Sequence, residues 1–238
     1  MENTESIKVK ESSSSNKNKS KYVLEFITEK IFMISAFVAV ISLLLIIGFV
    51  FYKGLMPFAT EGYSFIDFIF GTEWLPSSKE FGIGAMIVTS MVATVGALII
   101  GVPIGILAAI FIAEICPKKY ARVISTAVEL LAGIPSVLYG IFGLAVIVPA
   151  IQTVLSLPKG QSLLAVIIVL AIMMLPTIIS LSETSIRAVP KAYKEGSLAL
   201  GASKIETIFK VVLPAAKSGI LAAVVLGIGR ALGETMAV

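Results

Sequence analysis

Long apolar segments alternate with shorter polar ones along most of the chain. Five of them reach the length of about 20 apolar residues with which a helix crosses the roughly 30 Å hydrocarbon core of a membrane. They cover residues 31–52, 83–113, 124–150, 162–182 and 215–238. The pattern predicts an all-α polytopic membrane protein with five spans.

Three of these spans contain glycine or proline at positions that affect helix packing or helix continuity. Glycines four residues apart, Gly101 with Gly105 and Gly229 with Gly233, predict close approach of neighbouring helices. In the third span Gly133 and Pro135 predict a helix break, because proline removes a backbone hydrogen bond that protein or water must replace. Such a break suits either a helix that lines a path or a kink that serves packing.

The polar segments predict how the chain crosses the membrane. Residues 1–30 begin with a Ser- and Lys-rich stretch without periodicity, which predicts a disordered cytoplasmic tail. Lysine and arginine concentrate in this tail and in the segments after the second and fourth spans. The segment 53–81 instead holds two lysines against four acidic residues. Because cytoplasmic loops carry the excess of Lys and Arg, the N-terminus is predicted to be cytoplasmic.

The amino-acid composition argues against several classes of function. The chain is 57% hydrophobic and 14% charged, with no histidine and one cysteine. The usual zinc ligands and the Ser-His and Cys-His nucleophile pairs are therefore missing, so neither a metal site nor a catalytic residue is expected. The net charge of +4 follows from the charge bias of the loops, so nucleic acid is not expected as a partner.

Residues 188–214 predict a helical hairpin between the fourth and fifth spans. Pro190 suits the start of a helix, and Gly201 can end it in a left-handed conformation. Ser203 and Glu206 then match the S-x-x-E capping box that begins a second helix, and Pro214 precedes the last span. From these residues alone, a lever for a partner and a surface cap over the bundle are both open.

The spacing within this hairpin resembles the EAA loop of ABC importer permeases. "EGSLALG" is followed after nine residues by "VVLP", with Gly196 and Ser197 in place of two alanines of the motif. "ELLAGIPSVLYGIFGL" and the terminal "GRALGETMAV" are similar to the C-type membrane permease of the phosphate-specific (Pst) ABC importer. The resemblance implies that the hairpin is a coupling helix that docks on an ATPase. The residues implied in this docking are Glu195, Gly201, Ala202, Ser203, Leu213 and Pro214.

The resemblance also implies a fold, partner proteins and a cellular location for the chain. It implies the MetI-like permease fold with six spans, of which five are present, so truncation before the last span is expected. Its implied partners are a second related permease, two ATPase subunits, an extracytoplasmic phosphate-binding protein and inorganic phosphate. The implied location is the bacterial or archaeal cytoplasmic membrane. The sequence contains no G-x-x-x-x-G-K-[ST] loop, so ATP and Mg²⁺ are expected on the partner ATPase and no cofactor on this chain.

Two charges stand within the last apolar segment. Arg230 and Glu234 lie one helical turn apart, and a charge near the bilayer centre costs roughly 2.5–3.5 kcal/mol on insertion scales. An i,i+4 ion pair recovers only about 0.2–0.5 kcal/mol on an exposed helix, so both side chains are expected to face protein or water. Arg230 is predicted to attract phosphate in the translocation path, with Glu234 holding it; a purely structural ion pair is the alternative.

Three other functions remain open at this point. A permease for sulfate or molybdate and the sibling A-type phosphate permease have the same architecture. A membrane scaffold for phosphate sensing would bind a partner without conducting. A passive channel is disfavoured, because it has no use for an ATPase dock.

Overall fold

The computed structural model describes the backbone of residues 2–60, 62–78 and 80–236, and the side chains in these ranges from residue 21 onward except Val23. The chain divides into two compact units, Met1–Ile69 and Phe70–Val238. Each unit is built mainly of helices.

The first unit consists of one long helix and a short one. Helix α1 covers Glu2–Thr60, and its membrane-length apolar part runs over Leu24–Thr60, longer than the predicted span 31–52. The prediction of a disordered tail over 1–30 is wrong for residues 21–30, which continue the helix because no glycine or proline interrupts their helix-forming sequence. The part of that prediction on residues 1–20 lies outside the fully described residues. Helix α2 is Phe65–Phe70.

The second unit begins with a small β-hairpin that the apolar pattern did not predict. Strands β1 (Trp74–Leu75) and β2 (Glu80–Phe81) pair antiparallel, with Trp74 opposite Phe81. Their rings pack edge to face with centroids 5.3 Å apart. Two-residue strands are too short to give a period-2 pattern, which explains why the sequence did not reveal them.

The helices of the second unit pack around one central helix. Helix α3 is Gly84–Ile110, continued by a π-helical segment, Phe111–Ile115. Helix α4 is Lys118–Ala132, and α5 is Ser136–Phe142, which a second π segment, Gly143–Ile147, joins to α6, Val148–Val154. Helix α7, Leu163–Arg187, contacts α3, α4, α5 and the last helix, α11, Lys217–Leu232. The core therefore centres on α7.

Glycine brings α3 against α7, as predicted. A Cβ on Gly105 would lie 2.7 Å from Cγ2 of Ile178, and one on Gly101 would lie 3.4 Å from the carbonyl oxygen of Ala171. The other predicted pair behaves differently, because a Cβ on Gly229 would meet nothing within 4 Å. Within the described chain, Gly229 therefore faces open space and no second helix.

Besides the first, two further predicted spans need correction. Helix α4 ends at Ala132, so the third membrane-length segment is Ser136–Val154 and not 124–150. The chain leaves the helix at Gly133 and resumes it after Pro135, where a helix break was predicted. The predicted fifth span, 215–238, is the 16-residue helix α11, about 24 Å long. It qualifies as a span only together with the preceding helices, from which it is bent by 70°. In the part of the chain that the structure describes, four other segments qualify alone.

The described residues contain three π segments, Phe111–Ile115, Gly143–Ile147 and Ile208–Val212, and each is followed by a proline after one intervening residue. Cys116, Val148 and Leu213 donate their N–H to the carbonyl five residues back, and the next residues are Pro117, Pro149 and Pro214. The proline ring would clash with the carbonyl four residues before it in a regular α-helix. Where the helix continues through the proline, at Pro149 and Pro214, a wider turn just before it relieves that clash; at Cys116 the chain instead becomes extended. Such π turns occur frequently at functional sites.

Candidate functional site

The predicted helical hairpin is present between α7 and α11. Its first helix is α8, Lys191–Ala199; its second arm runs through α9, Lys204–Thr207, a third π segment, Ile208–Val212, and α10, Leu213–Ala215. We name residues 190–215 the coupling hairpin. Pro190 directly precedes α8 in an extended conformation.

The turn of the coupling hairpin forms as the sequence predicts. Gly201 has φ +87°, the left-handed conformation that favours glycine. Both halves of the capping box are made: the Ser203 hydroxyl accepts the Glu206 N–H, and the Glu206 carboxylate accepts the Ser203 N–H. The hydrogen bonds that the Ser203 N–H and hydroxyl donate to this carboxylate, together with nearby Lys210, hold the pKa of Glu206 below its usual range. The Ser197 and Thr207 hydroxyls, 2.9 Å apart, join the two arms.

One face of the coupling hairpin is apolar and open. Leu200 is 91% exposed and Ile205 69%. A shallow cavity of about 440 Å³ lies beside Leu200. Its lining is Ala192, Tyr193, Gly196, Ser197, Leu200, Ala202 and Val211. An exposed apolar patch of this kind on a folded segment is typical of a protein interaction site.

The residues implied in ATPase docking lie at three places in the coupling hairpin. Gly201, Ala202 and Ser203 form the turn itself, where Gly201 and Ser203 are exposed and Ala202 is partly buried in the cavity wall. Glu195 is exposed on α8. Leu213 and Pro214 lie at the other end of the second arm, where the chain turns into α11. The turn residues and the LP residues therefore mark opposite ends of that arm.

The base of the coupling hairpin is packed against the ends of α3 and α7. A buried apolar cluster joins these parts, and its members are Ala109, Ile110, Ile186, Val189, Ile208, Val212 and Ala216. In addition, Nζ of Lys194 in α8 contacts a carboxylate oxygen of Glu114 in the first π segment. The hairpin is thus attached by both apolar packing and an ion pair.

A second polar cluster lies beside this attachment and was not predicted. Glu183 on α7 is 8% exposed, and its carboxylate accepts hydrogen bonds from the Ser125 hydroxyl at 2.9 Å and from Nε of Arg187 at 2.8 Å. Nη2 of Arg187 also donates to the carbonyl of Ile112 at 3.1 Å. The acidic residue so close to an apolar run, in "LSETSIR", was the available signal.

Arg230 and Glu234 are not arranged as an ion pair in the described part of the chain. Arg230 is half-buried in the last turn of α11, where its Nη1 donates to the Thr177 hydroxyl on α7 at 3.1 Å. The helix ends at Leu232, so Glu234 is not on the same helical face as predicted. Its carboxylate accepts the N–H of Met236 at 2.9 Å. A cation in the last helical turn is favoured by the helix dipole.

Among the side chains that the structure describes, from residue 21 onward, no three His, Cys, Asp or Glu residues could together hold a metal ion. The groups available for chemistry in this part of the chain are therefore hydrogen-bond donors, ion pairs and an apolar docking face. Such an arrangement can bind and transmit movement.

The fold and the hairpin define the class. Residues 101–238 match the family of binding-protein-dependent transport system inner membrane components. The chain belongs to this family. A structure of the MetNI methionine ABC transporter in inward-facing form matches with a TM-score of 0.50 at 23% identity, covering 64% of this chain and 68% of that chain. This likeness confirms the predicted MetI-like permease fold.

Several individual proteins similar to this chain have names more specific than that of the family. The chain is 45% identical to the probable ABC transporter permease protein YqgH of Bacillus subtilis (strain 168), over 78% of this chain and 61% of that protein. It is 37% identical to the phosphate transport system permease protein PstC of Mesorhizobium japonicum, over 89% and 71%. For PstC of Haemophilus influenzae the identity is 38%, over 72% and 61%. The chain spans about three fifths of the length of YqgH.

Proposed function

We propose that this chain is a membrane-spanning permease subunit of an ATP-driven phosphate importer, in which it forms half of the translocation pore. Its similarity to several PstC proteins, whose names state phosphate transport, carries the proposal for the cargo. The open apolar face of the coupling hairpin supports the proposal that the chain works with a separate motor.

The proposed assembly contains a second related permease, two ATPase subunits and an extracytoplasmic phosphate-binding protein. ATP and Mg²⁺ bind on the ATPases, and this chain catalyses no reaction itself. Its proposed location is the cytoplasmic membrane with a cytoplasmic N-terminus, because Lys and Arg concentrate in the tail and in the segment that holds the coupling hairpin.

The proposed coupling step uses the turn of the hairpin. An ATPase surface covers Leu200, Ile205 and the adjoining cavity, with Glu195, Gly201, Ala202 and Ser203 at the contact. When the ATPases close on ATP, the hairpin moves as a body, because the capping box and the Ser197–Thr207 contact hold its arms together. Leu213 and Pro214 pass this movement to α11. Alternating access to the two sides of the membrane follows from rotation of the spans.

The proposed phosphate path passes Arg230. The guanidinium is half-buried and has one hydrogen-bond partner from α7, Thr177, so further N–H donors are available to an oxyanion. Its planar fork matches two phosphate oxygens. Glu234 lies just beyond the helix end and limits by its negative charge how tightly the anion is held. Gly133 and Pro135 supply the bend in the chain that precedes α5.

Uptake of labelled phosphate tests the cargo. Cells that lack their own phosphate importers receive this subunit with its partner subunits, and sulfate and molybdate are added as competitors. We expect uptake that unlabelled phosphate abolishes and the other two anions leave unchanged. Competition by sulfate or molybdate would instead identify a permease for another oxyanion. Partner binding through the hairpin without any uptake would identify a sensing scaffold.

A further inference from the structure

The first π segment, Phe111–Ile115, carries a backbone carbonyl without a helical partner. The N–H of Cys116 donates to the carbonyl oxygen of Phe111 at 2.8 Å, and the next residue, Pro117, has no N–H. The carbonyl of Ile112 is thereby left to another donor, which is Nη2 of Arg187. The proline that follows the π segment thus leaves a carbonyl to which the last residue of α7 binds.

The same segment carries the acidic partner of the coupling hairpin. Glu114 stands two residues after Ile112, and its side chain is 11% exposed; the side chain of Lys194 is 23% exposed. The two residues are 80 positions apart in sequence, so the contact bridges separate elements. Burial from solvent reduces the screening that makes exposed ion pairs weak.

The other contacts at the base of the coupling hairpin are apolar and therefore not directional. The apolar cluster around Ile208 and Val212 is held by burial, which depends on area and not on orientation. An ion pair with fixed geometry differs, because it links one position on α8 to one position on α3. The Glu114–Lys194 contact is therefore the polar connection from the first arm of the hairpin to a membrane-length helix.

We propose that Glu114 and Lys194 are positioning residues that transmit movement of the coupling hairpin to α3, with Arg187 and Glu183 holding the π segment against α7. The proposal rests on the proposed function. In this arrangement α3 follows α8 through the ion pair, while α11 follows the second arm through Leu213 and Pro214. A brace that only stabilises the fold is the competing explanation.

Charge-neutral and charge-reversed variants separate transmission from bracing. Glu114→Gln and Lys194→Gln each remove the ion pair at nearly constant volume, and Glu114→Lys combined with Lys194→Glu restores it in reverse. The complete transporter is reconstituted in proteoliposomes, where phosphate imported per ATP hydrolysed is measured. We expect each single variant to lower this ratio about fivefold while ATPase activity and assembly persist, the lower range of coupling between sites. The reversed pair is expected to recover at least half of the ratio.

Lys210→Gln is the matched control. It removes a charge from the same hairpin, but the Lys210 side chain is 76% exposed and its ion pair with Glu206 lies within one arm. We expect an unchanged ratio. Single variants with an unchanged ratio would overturn the proposal, and so would lost assembly or a reversed pair without recovery.

A second readout does not depend on the cargo. Cys116, the one cysteine of the chain, lies two residues after Glu114 and is partly buried. We expect ATP with vanadate to change its maleimide labelling at least twofold in the unmodified subunit and not in Glu114→Gln. Labelling that ignores nucleotide in the unmodified subunit, or still responds in the variant, would overturn the transmission proposal. Absent phosphate uptake with a normal labelling response would overturn only the proposed cargo.

Discussion

At the scale of single residues, Arg230 shows what sequence can and cannot reveal. An arginine in an apolar segment predicts a protein or water environment, and the structure agrees, with the guanidinium half-buried against Thr177. The assumed partner Glu234 is beyond the helix end. The i,i+4 spacing predicts a pair only where the helix continues, and Gly233 ends it one residue earlier.

We expect Arg230→Lys to lower phosphate uptake about tenfold at an unchanged protein level. Lysine keeps the charge but loses the planar fork, and one charge-assisted hydrogen bond contributes about 1.5–3 kcal/mol. Initial uptake rates, normalised to subunit in the membrane, measure this. Uptake at the full rate would exclude a bidentate role for Arg230.

The charge-swapped variant, Arg230→Glu with Glu234→Arg, serves as the companion test. Because the structure gives Arg230 the partner Thr177 and no ion pair with Glu234 among the described residues, we expect the swap to remain inactive. Recovered activity would favour the structural ion pair.

Polar contacts between distant elements could not be predicted from the sequence. Glu114 and Lys194 are 80 residues apart, and Glu183 meets Ser125 across 58 residues. Local periodicity and capping rules address neighbours within a few turns, so they cannot report which far-off cation an acid meets. An acidic residue at the end of an apolar run was visible, but its partner depended on the packing of three helices.

At the scale of elements, the effect of a proline on its helix could not be predicted from the sequence. Three prolines follow π segments, whereas Pro103 and Pro176 stand inside regular α3 and α7. The same residue type thus has two outcomes, and tertiary packing decides between them. The hairpin turn was predictable, because a left-handed glycine and a capping box are set by adjacent residues.

Gly201→Ala tests the turn of the coupling hairpin. A Cβ there meets nothing within 4 Å, but φ is +87°, so the substitution is expected to cost about 1–2 kcal/mol through backbone strain alone. Gly196→Ala is the control: its surroundings are equally open and its conformation is helical, so about 0.5–1 kcal/mol is gained. Hydrogen exchange of the hairpin amides measures both. Equal effects would contradict the role assigned to φ.

Gly105→Ala tests the contact between α3 and α7. The added methyl would lie 2.7 Å from Ile178, so we expect a loss of about 1–3 kcal/mol of stability from overpacking. At Gly101 the nearest atoms lie at 3.4 Å, an ordinary contact, and alanine there is expected to be tolerated. Thermal unfolding in detergent compares the two variants. A tolerated Gly105→Ala would mean that the helices separate readily.

At the scale of the whole molecule, hydropathy predicted the architecture and misplaced parts of it. The spans 83–113 and 162–182 correspond to Gly84–Ile115 and Leu163–Arg187, both continuous apolar helices. The third span was wrong because an apolar stretch around "LLAGIP" hides a break, and the first was too short because its polar beginning is also helical. Hydropathy reports transfer to lipid, whereas helix boundaries depend on backbone chemistry.

Under the proposed function, this subunit couples ATP hydrolysis by a partner to phosphate movement across the membrane. Accumulation of labelled phosphate in proteoliposomes containing the complete transporter, the binding protein and MgATP tests it most directly. We expect accumulation above the outside concentration with ATP and none with a non-hydrolysable analogue. Equal inside and outside concentrations reached without hydrolysis, or no phosphate movement under either condition, would contradict it.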